Sequence, residues 1–230
     1  MTISVIIPTY NECATIGRLI QDLRRYDVDR QVEVLVVDAN SPDGTAAAAR
    51  QAGATVLLAP KPGRAVQMNY GAAHATGDIL YFVHADVGIH PQYVATLQAA
   101  VGQGHAAGCY RFRFDSPHPL LRINSFGTRF EGLMSRGGDQ TLFITRPLFA
   151  QLGGFNERFV VMEDFEIIQR IRRVASFLIV PQDVVVSARK YENNSWLCVQ
   201  VANLTAFLLY FLKVSPGRIA RTYKAMLNTH

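Results

Sequence analysis

The first ninety residues alternate short apolar runs with segments of helical periodicity. Four runs rich in β-branched residues predict strands: residues 3–7, 32–37, 55–58 and 79–83. Between them, apolar residues recur at helical spacing in three segments, which predict helices: residues 14–26, 43–52 and 65–75. Strands that alternate with helices predict an α/β fold, with a mostly parallel central sheet flanked by helices.

The second half of the chain is less regular. Three segments predict helices: residues 90–102, 147–152 and 164–174. Four short segments predict strands: residues 109–114, 142–145, 177–180 and 184–187. Residues 117–138 have no clear period, and their glycines favour a loop.

Two further helices are predicted at the C-terminal end. Residues 196–213 are apolar on nearly every face, and residues 216–227 combine an apolar stripe with basic side chains. A helix that is apolar all round needs a partner that buries it. We therefore predict one domain over residues 1–190, and C-terminal helices over residues 191–230 that pack on that domain, on a dimer partner or on a membrane surface.

Composition narrows the function classes. The chain has 230 residues, 49% of them hydrophobic, which is enough for a sizeable core and excludes a disordered protein. The net charge of +5 suits a phosphate-bearing small molecule or an anionic membrane, but no long run of Lys or Arg indicates a nucleic-acid partner. Three scattered cysteines and the lack of a signal-peptide pattern predict a cytoplasmic protein, with peripheral contact at the inner membrane face as a further expectation.

Polar side chains follow three of the predicted strands. The first strand continues into Pro8-Thr9-Tyr10-Asn11-Glu12, the second ends at Asp38, and the fourth is followed by His84-Ala85-Asp86. Because ligands bind at the carboxyl ends of parallel strands, we expect these groups to converge on one edge of the sheet. No strand is followed by GxGxxG or GxxxxGK[ST], which argues against a dinucleotide dehydrogenase and a P-loop NTPase.

Three motifs carry a family resemblance: SVIIPTYNE at residues 4–12, VVDANSPDGT at residues 36–45, and GGFNE at residues 153–157 followed by Glu163-Asp164. In this order they resemble the family 2 inverting glycosyltransferases, which have the GT-A fold, a Rossmann-like nucleotide-diphospho-sugar transferase fold. The resemblance extends to about residue 190. Gly138-Asp139-Gln140 is also similar to a subgroup of small bacterial members associated with arsenosugar biosynthesis.

The resemblance implies transfer of a sugar from a nucleotide-diphospho-sugar, usually UDP-linked, to an acceptor hydroxyl with inversion. Such an in-line displacement needs a base for the acceptor proton and positive charge for the departing diphosphate. The resemblance makes Asp164 the catalytic base, with Glu163 as an orienting or acceptor-binding neighbour. The alternative is that both acids only stabilise the dipole of the helix they begin.

The donor side has its own candidates. A carboxylate at Asp38 can accept from a uracil imide or a ribose hydroxyl, or it can cap the following helix. Asp86 occupies the family's Asp-x-Asp position and would hold a divalent cation, Mg²⁺ or Mn²⁺, that bridges the two phosphates. His84 stands there in place of the first acid, either as a donor contact or as a satisfied strand-end residue. Ala39 likewise stands where the family has a second acid beside Asp38.

The remaining candidates complete the predicted site. Further donor-binding residues are Pro8, Thr9, Tyr10, Glu12, Arg64 and Asn69. Arg64 opens a helix, where backbone N–H groups suit an anionic ligand, and Arg189 follows the last strand within reach of a diphosphate. Asp139 and Gln140 lie in a glycine-flanked loop and are predicted to hold acceptor hydroxyls, although turn chemistry alone accounts for such a pair.

Two other functions remain open at this stage. A nucleotidyltransferase that makes nucleotide sugars shares the fold type, but it usually has a glycine-rich basic loop after the first strand, which residues 8–12 do not provide. A non-catalytic nucleotide-sugar-binding or membrane-adaptor protein stays an alternative because His84 and Ala39 stand where the family has acids. Ser195-Trp196 lacks the Gln-x-x-Arg-Trp pattern of processive members, which disfavours a polymer synthase.

Overall fold

A computed structural model describes residues 1–130 and 140–227 of the chain. The strands are β1 (Ile3–Thr9), β2 (Val32–Asp38), β3 (Thr55–Leu58), β4 (Ile79–Phe82), β5 (Val87–Gly88), β6 (Ala107–Phe114), β7 (Leu142–Thr145) and β8 (Phe177–Val186). The helices are α1 (Cys13–Tyr26), α2 (Thr45–Gln51), α3 (Arg64–His74), α4 (Tyr93–Gly102), α5 (Pro119–Gly127), α6 (Arg146–Leu152), α7 (Glu163–Val174), α8 (Arg189–Glu192), α9 (Trp196–Phe211) and α10 (Pro216–Met226).

These strands form one sheet in the order β3-β2-β1-β4-β7-β6-β8-β5. The pairs β3-β2, β2-β1, β1-β4 and β6-β8 are parallel, whereas β4-β7, β7-β6 and β8-β5 are antiparallel. The predicted α/β class with parallel strands is therefore confirmed, and each antiparallel pair includes a strand from the second half of the chain. β1 is central and buried along its whole length, as its continuous apolar run predicts.

Helices cover both faces of the sheet. On one face, α1 contributes Ile16, Leu19 and Ile20 to a core that also contains Tyr93 and Leu97 of α4. On the other face, α3, α6 and α7 pack a second layer against β1, β2 and β4. Apolar residues spaced three and four apart on each helix produce these layers, because such residues share one helical face.

The structure departs from the sequence prediction in the second half. β8 is one continuous strand where two were predicted, and its pairing with β6 shifts so that Tyr110 faces Val180 while Arg111 faces Asp183. Pro181 lies in this irregularity, where the backbone N–H that proline lacks is not required. α5 forms where no regular element was predicted; the His118 side chain caps it and Pro119 starts it.

The C-terminal helix α9 is only half buried by the rest of this chain. Val199, Ala202, Ala206 and Phe207 are buried, and Phe207 packs on Phe165 of α7 with 4.8 Å between the ring centroids. The opposite face is exposed, which differs from a helix buried all round and keeps a further partner for this face open. Among the helices described, none is long and apolar enough to cross a membrane.

Candidate active site

The carboxyl ends of β1 and β2 are joined by side chains at the sheet edge. The Thr9 hydroxyl donates to the Asp38 carboxylate over 2.9 Å. The amide of Gln67, on α3, donates to the backbone carbonyls of both Thr9 and Val37 at 2.8 Å. Gln67 was not predicted as a site residue; its only sequence signal is a polar side chain on a helix face that is otherwise apolar.

Asp38 is 1% exposed and its carboxylate is well occupied. Besides the Thr9 hydroxyl, it accepts from the Ser41 hydroxyl at 2.6 Å and from the Ser41 backbone N–H at 2.8 Å. A carboxylate has about four acceptor positions, so roughly one remains for a nucleotide. The start of α2 is capped by Asp43 instead, which accepts from the Thr45 backbone N–H and hydroxyl.

Three other predicted donor residues lie at the end of β1 or just after it, and they differ in their exposure to solvent. Pro8 is buried within β1, where it lies opposite Val37, so its contribution is to the strand itself. Tyr10 is 59% exposed beside this edge of the sheet and is available to a planar ligand. Glu12, at the start of α1, forms an ion pair of 2.8 Å with Arg189.

Arg189 connects two of the predicted donor residues. Its guanidinium lies 2.8 Å from Glu12 and 3.7 Å from Asp86, and these carboxylates raise the pKa of Arg189, the hydrogen bond to Glu12 having the largest effect. The side chain is 53% exposed, and Arg189 is the first residue of α8, three residues after β8 ends. The positive charge of the Arg189 guanidinium therefore lies beside Asp86, at the position expected for the leaving diphosphate.

The acidic pair at the start of α7 is buried. Glu163 and Asp164 are 1% and 6% exposed, respectively. One carboxylate oxygen of Asp164, Oδ2, is buried with no hydrogen-bond partner among the described residues, and the nearest cationic candidate is His84 Nε2 at 3.8 Å. The residue before the pair, Met162, has a left-handed backbone with φ of 69°. That conformation disfavours a side chain, so the turn that aims the pair holds local strain.

Glu163 has a different partner from its neighbour. Its carboxylate forms an ion pair of 3.0 Å with Arg64, the first residue of α3, whose side chain is 48% exposed. Burial raises the pKa of Glu163, Arg64 lowers it, and the adjacent Asp164 raises it again, with burial the largest influence. The two acids therefore face different directions, as adjacent residues on a helix should: Glu163 toward Arg64 and Asp164 toward His84.

Asn69 holds the loop that precedes the acidic pair. Its amide nitrogen donates to the Phe155 carbonyl at 2.9 Å, and its amide oxygen accepts from the Phe155 N–H at 2.8 Å. A Cβ at Gly154, whose φ is 73°, would lie 2.6 Å from that oxygen, so this position requires glycine. In this conformation, both ends of the Asn69 amide are used for positioning the loop.

The predicted acceptor residues are only partly described. Asp139 lies outside the described residues. Gln140 is 5% exposed, and its side-chain oxygen lies 3.6 Å from the Cys109 thiol, inside the protein. The geometry therefore brings Glu163 to the site edge and places Gln140 next to β6.

Asp86 is suited to bind a divalent cation whose remaining ligands come from the substrate. Within the described ranges, no three His, Cys, Asp or Glu side chains gather closely enough to hold a metal ion by themselves. A Mg²⁺ ion often takes one or two carboxylates and completes its shell with water and substrate phosphates. Asp86, with 31% of its side chain exposed, offers the hard oxygen ligands that such an arrangement requires.

Comparison with known sequences places this geometry in context. The sequence model of glycosyl transferase family 2 matches residues 4–160. An uncharacterized glycosyltransferase of Mycobacterium tuberculosis is 30% identical over 178 residues, covering 74% of this chain and 68% of that protein. Glucosyl-3-phosphoglycerate synthase of the same organism is 30% identical over 162 residues, covering 66% of this chain. The chain spans only 48% of the length of that synthase.

Solved structures agree on the fold. A mannosyltransferase of Pyrobaculum calidifontis, in complex with GDP-Man and Mn²⁺, has a TM-score of 0.70 at 22% identity, over 97% of this chain and 69% of that one. The M. tuberculosis synthase, in complex with Mg²⁺ and UDP, has a TM-score of 0.66 at 22% identity, over 93% and 80%. The predicted GT-A fold is confirmed, while the arsenosugar subgroup stays a prediction.

Proposed function

Because the chain belongs to glycosyl transferase family 2, we propose that it transfers a sugar from a UDP-linked donor to an acceptor hydroxyl with inversion. The acceptor oxygen would attack the anomeric carbon as the bond from that carbon to the diphosphate oxygen breaks. The acceptor proton goes to a base, and the nucleoside diphosphate leaves. The proposal requires a buried base and a cationic leaving-group site on one edge of the sheet.

The observation that carries this proposal is Asp164 Oδ2, which has no hydrogen-bond partner within the described parts of the chain. A buried carboxylate oxygen without a hydrogen bond costs about 1–3 kcal/mol, so a structure keeps one only where another requirement outweighs that cost. An incoming acceptor hydroxyl would supply the missing donor and lose its proton to Oδ2. Asp164 is therefore the proposed general base.

His84 has a positioning role in this proposal. Its Nε2 lies 3.8 Å from Asp164 Oδ2, beyond hydrogen-bond length, on the side of the carboxylate that the acceptor hydroxyl would approach. His84 follows β4, two residues before Asp86, so the same short segment serves the base and the leaving group.

The leaving diphosphate would lie beside Asp86 and Arg189, whose charged groups are 3.7 Å apart. Arg189 has its guanidinium at this position, and Arg64 is the second exposed cation at the edge. A divalent cation bound to Asp86 would neutralise the phosphate oxygens, as hard cations do. The relatives' Mg²⁺ and Mn²⁺ complexes support this requirement for a cation. Thr9, Tyr10 and Glu12 form the wall of the proposed donor site that is nearest the nucleobase.

The acceptor side is assigned to Glu163, Gln140 and Asp139, as the sequence predicts. Of these, Glu163 is placed next to the proposed base. Its carboxylate, held by Arg64 at 3.0 Å, offers acceptor positions for a hydrogen bond from the acceptor hydroxyl. The acceptor itself is a hydroxyl compound small enough to reach a buried carboxylate.

Location and assembly follow the sequence expectations. We propose a cytoplasmic protein with a transferase domain over residues 1–190 and an appended helical segment over residues 191–230. In support, α9 packs on α7 through Phe165, so the appended segment buttresses the helix that carries the acidic pair. The exposed face of α9 is left for a second copy or a membrane surface.

A thermal-shift screen tests the proposal. Purified protein is heated with UDP, GDP and ADP, each with Mg²⁺, with Mn²⁺ or with a chelator. A ligand that binds only the native state stabilises it by about 2.7 kcal/mol at 100 times its dissociation constant. We expect UDP with a cation to raise the melting temperature most. Equal shifts with and without the cation, or no shift with any nucleotide, would contradict the proposal.

Hydrolysis separates an enzyme from a non-catalytic binder. Glycosyltransferases without an acceptor can pass the sugar slowly to water, so UDP release from UDP-glucose is measured without acceptor, with and without Mn²⁺. Cation-dependent release that is lost in Asp164→Asn supports catalysis. Tight binding of the nucleotide sugar with no release under any condition would favour the adaptor function instead.

A further inference from the structure

A large apolar surface lies on helices α5 and α9, away from the acidic pair. On α5 and just after it, Ile123, Phe126 and Phe130 are 62%, 55% and 56% exposed. On α9 the exposed apolar residues are Leu197, Val201, Leu204, Leu208 and Phe211, followed by Leu212. Scattered exposed leucines are ordinary, but this many large apolar side chains on two neighbouring helices mark an interaction surface.

The exposed residues of α9 form a regular stripe. From Leu197 to Phe211 they are spaced by four, three, four and three residues, which places them along one side of the helix. The buried residues of α9, from Val199 to Phe207, lie on the other side. The helix carries no charged residue between Trp196 and Phe211. This face is therefore apolar over the length of the helix.

Tyr191 of α8 bridges the two helices. The Tyr191 hydroxyl is 3.3 Å from the side-chain nitrogen of Asn124 on α5 and 3.5 Å from that of Gln200 on α9. Leu197 and Leu204 lie one turn to either side of Gln200, and Ile123 is adjacent to Asn124. The exposed apolar residues of α5 and α9 thus border the same contact, and we call them together the α5–α9 surface.

A basic cavity adjoins this surface. Its volume is about 500 Å³, and it lies between β6 and α5, lined by Phe112, Phe114, Phe126 and the side chains of Arg113, Arg122 and Arg129. Asp183 also lines it. Across the described parts of the chain, none of the three guanidinium groups has a carboxylate within ion-pair distance. The Arg129 guanidinium instead lies over the Phe126 ring, 5.3 Å from its centroid.

We propose that the α5–α9 surface docks on an anionic lipid bilayer, with a lipid phosphate in the arginine cavity. Charge complementarity identifies this occupant: the cavity is lined by three arginines and one acid, Asp183, and α10, which packs beside α9, exposes Arg218, Arg221 and Lys224. Apolar residues next to basic ones match the acyl and phosphate layers of a membrane surface.

The other occupants fit these observations less well. A second copy docked through the same surface would bring a second set of three arginines into the interface, without the carboxylates to balance them. A free phosphate would use the cavity but leave the apolar stripe of α9 without a role. A lipid supplies both chemistries in one molecule. This inference is independent of sugar transfer, because none of these residues belongs to the proposed base, cation or donor positions.

Vesicle flotation tests the proposal on the whole chain. Vesicles of phosphatidylcholine, with and without phosphatidylglycerol, are mixed with the wild type and with a triple variant, Arg113→Gln with Arg122→Gln and Arg129→Gln. Each basic residue near an anionic surface contributes about fivefold, so we expect the triple variant to bind on the order of 100-fold more weakly. The matched control removes three exposed arginines elsewhere: Arg18→Gln, Arg25→Gln and Arg50→Gln.

The apolar half of the surface has its own variant, Leu204→Glu, which should weaken binding to anionic vesicles while the control triple variant binds like the wild type. Light scattering reports the oligomeric state, and titration with inorganic phosphate reports anion binding without lipid. Equal loss in the two triple variants would overturn the arginine site. A dimer that ignores vesicles, or phosphate binding without vesicle binding, would overturn the lipid proposal.

Discussion

Asp38 and Asp164 are both buried carboxylates, at 1% and 6% exposure, and both lie at the sheet edge where the candidate residues converge. Asp38 accepts three hydrogen bonds, one from Thr9 and two from Ser41. Asp164 Oδ2 has no hydrogen-bond donor among the residues that the structure describes, and His84 Nε2 lies 3.8 Å from it, beyond hydrogen-bond length. The same functional group thus has three hydrogen-bond donors in one region and an oxygen with none in the other.

The difference in hydrogen bonding distinguishes a carboxylate that holds the fold together from one that can react with a substrate. A carboxylate with most of its acceptor positions occupied fixes the polypeptide around it, and Asp38 in this way ties the end of β1 to the turn after β2. A buried carboxylate oxygen that lacks a hydrogen-bond donor can accept one from a substrate group. Perturbed or unsatisfied buried polar groups are concentrated at functional sites for this reason. The comparison predicts opposite consequences for the two residues when each is replaced.

The largest effect is expected from Asp164→Asn. Asparagine keeps the shape of the side chain but cannot take the acceptor proton, and loss of a general base typically costs about 10²–10⁴-fold in rate. Donor binding and the urea midpoint should stay near those of the wild type. Initial rates of transfer, with Asp29→Asn as an exposed control, check this. Near-wild-type turnover would remove Asp164 from the role of base.

Asp86→Ala should weaken donor binding. The variant removes the carboxylate proposed for the cation, while Arg189 keeps its ion pair with Glu12. We expect UDP affinity in Mg²⁺ to fall at least about 10-fold, because even changes around metal ligands cost that much. Calorimetry with and without a chelator measures it: the chelator should weaken the wild type and leave Asp86→Ala unchanged. Chelator-independent UDP affinity in the wild type would refute the cation bridge.

Asp38→Ala tests the carboxylate that accepts three hydrogen bonds. Removing this carboxylate leaves the buried Thr9 hydroxyl without its partner, and a buried donor left unpaired costs about 1–3 kcal/mol. The Ser41 donors are only half-buried, so water can replace the carboxylate there. Urea denaturation should show a loss of stability in that range, whereas Asp43→Ala, at the exposed start of α2, should cost less. If Asp38→Ala folds as stably as the wild type but fails to bind UDP, the nucleotide role predicted from the sequence is the correct one.

Much of the fold was readable from local pattern. The strands at residues 55–58 and 142–145 and the helices α1 and α7 follow directly from apolar periodicity and from glycine or proline boundaries. α5 was missed because its start depends on His118 as an unusual cap. The single strand β8 was predicted as two, because Pro181 is tolerated only through a pairing shift with β6 that its own segment does not encode.

The site was readable as a set of residues but not as a set of contacts. Convergence of β1, β2 and β4 follows from the strand-end rule, and the structure brings Thr9 next to Asp38 as expected. The pairs Glu12–Arg189 and Arg64–Glu163 are 177 and 99 residues apart, so they appear only once the chain is folded. The use of Asn69 for the loop at Phe155 was hidden for the same reason.

The smallest effect, and the one that best distinguishes the two acids of α7, is the pH dependence of Glu163→Gln. Burial raises the pKa of Glu163 above its ordinary 4.5, so the native state holds this proton more tightly than the unfolded chain does. The stability that Glu163 contributes is therefore fully present below about pH 4.5 and is lost as the pH rises through the raised native pKa. Glutamine does not titrate, so the urea midpoint of Glu163→Gln should rise relative to that of the wild type between pH 4.5 and neutrality.

Glu157→Gln is the control of opposite sign, since its hydrogen bond with Lys61 lowers the pKa of Glu157, and that contribution to stability is present above pH 4.5 and lost on acidification. A midpoint difference for Glu163→Gln that shrinks as the pH rises would mean that the ion pair with Arg64, not burial, controls this carboxyl.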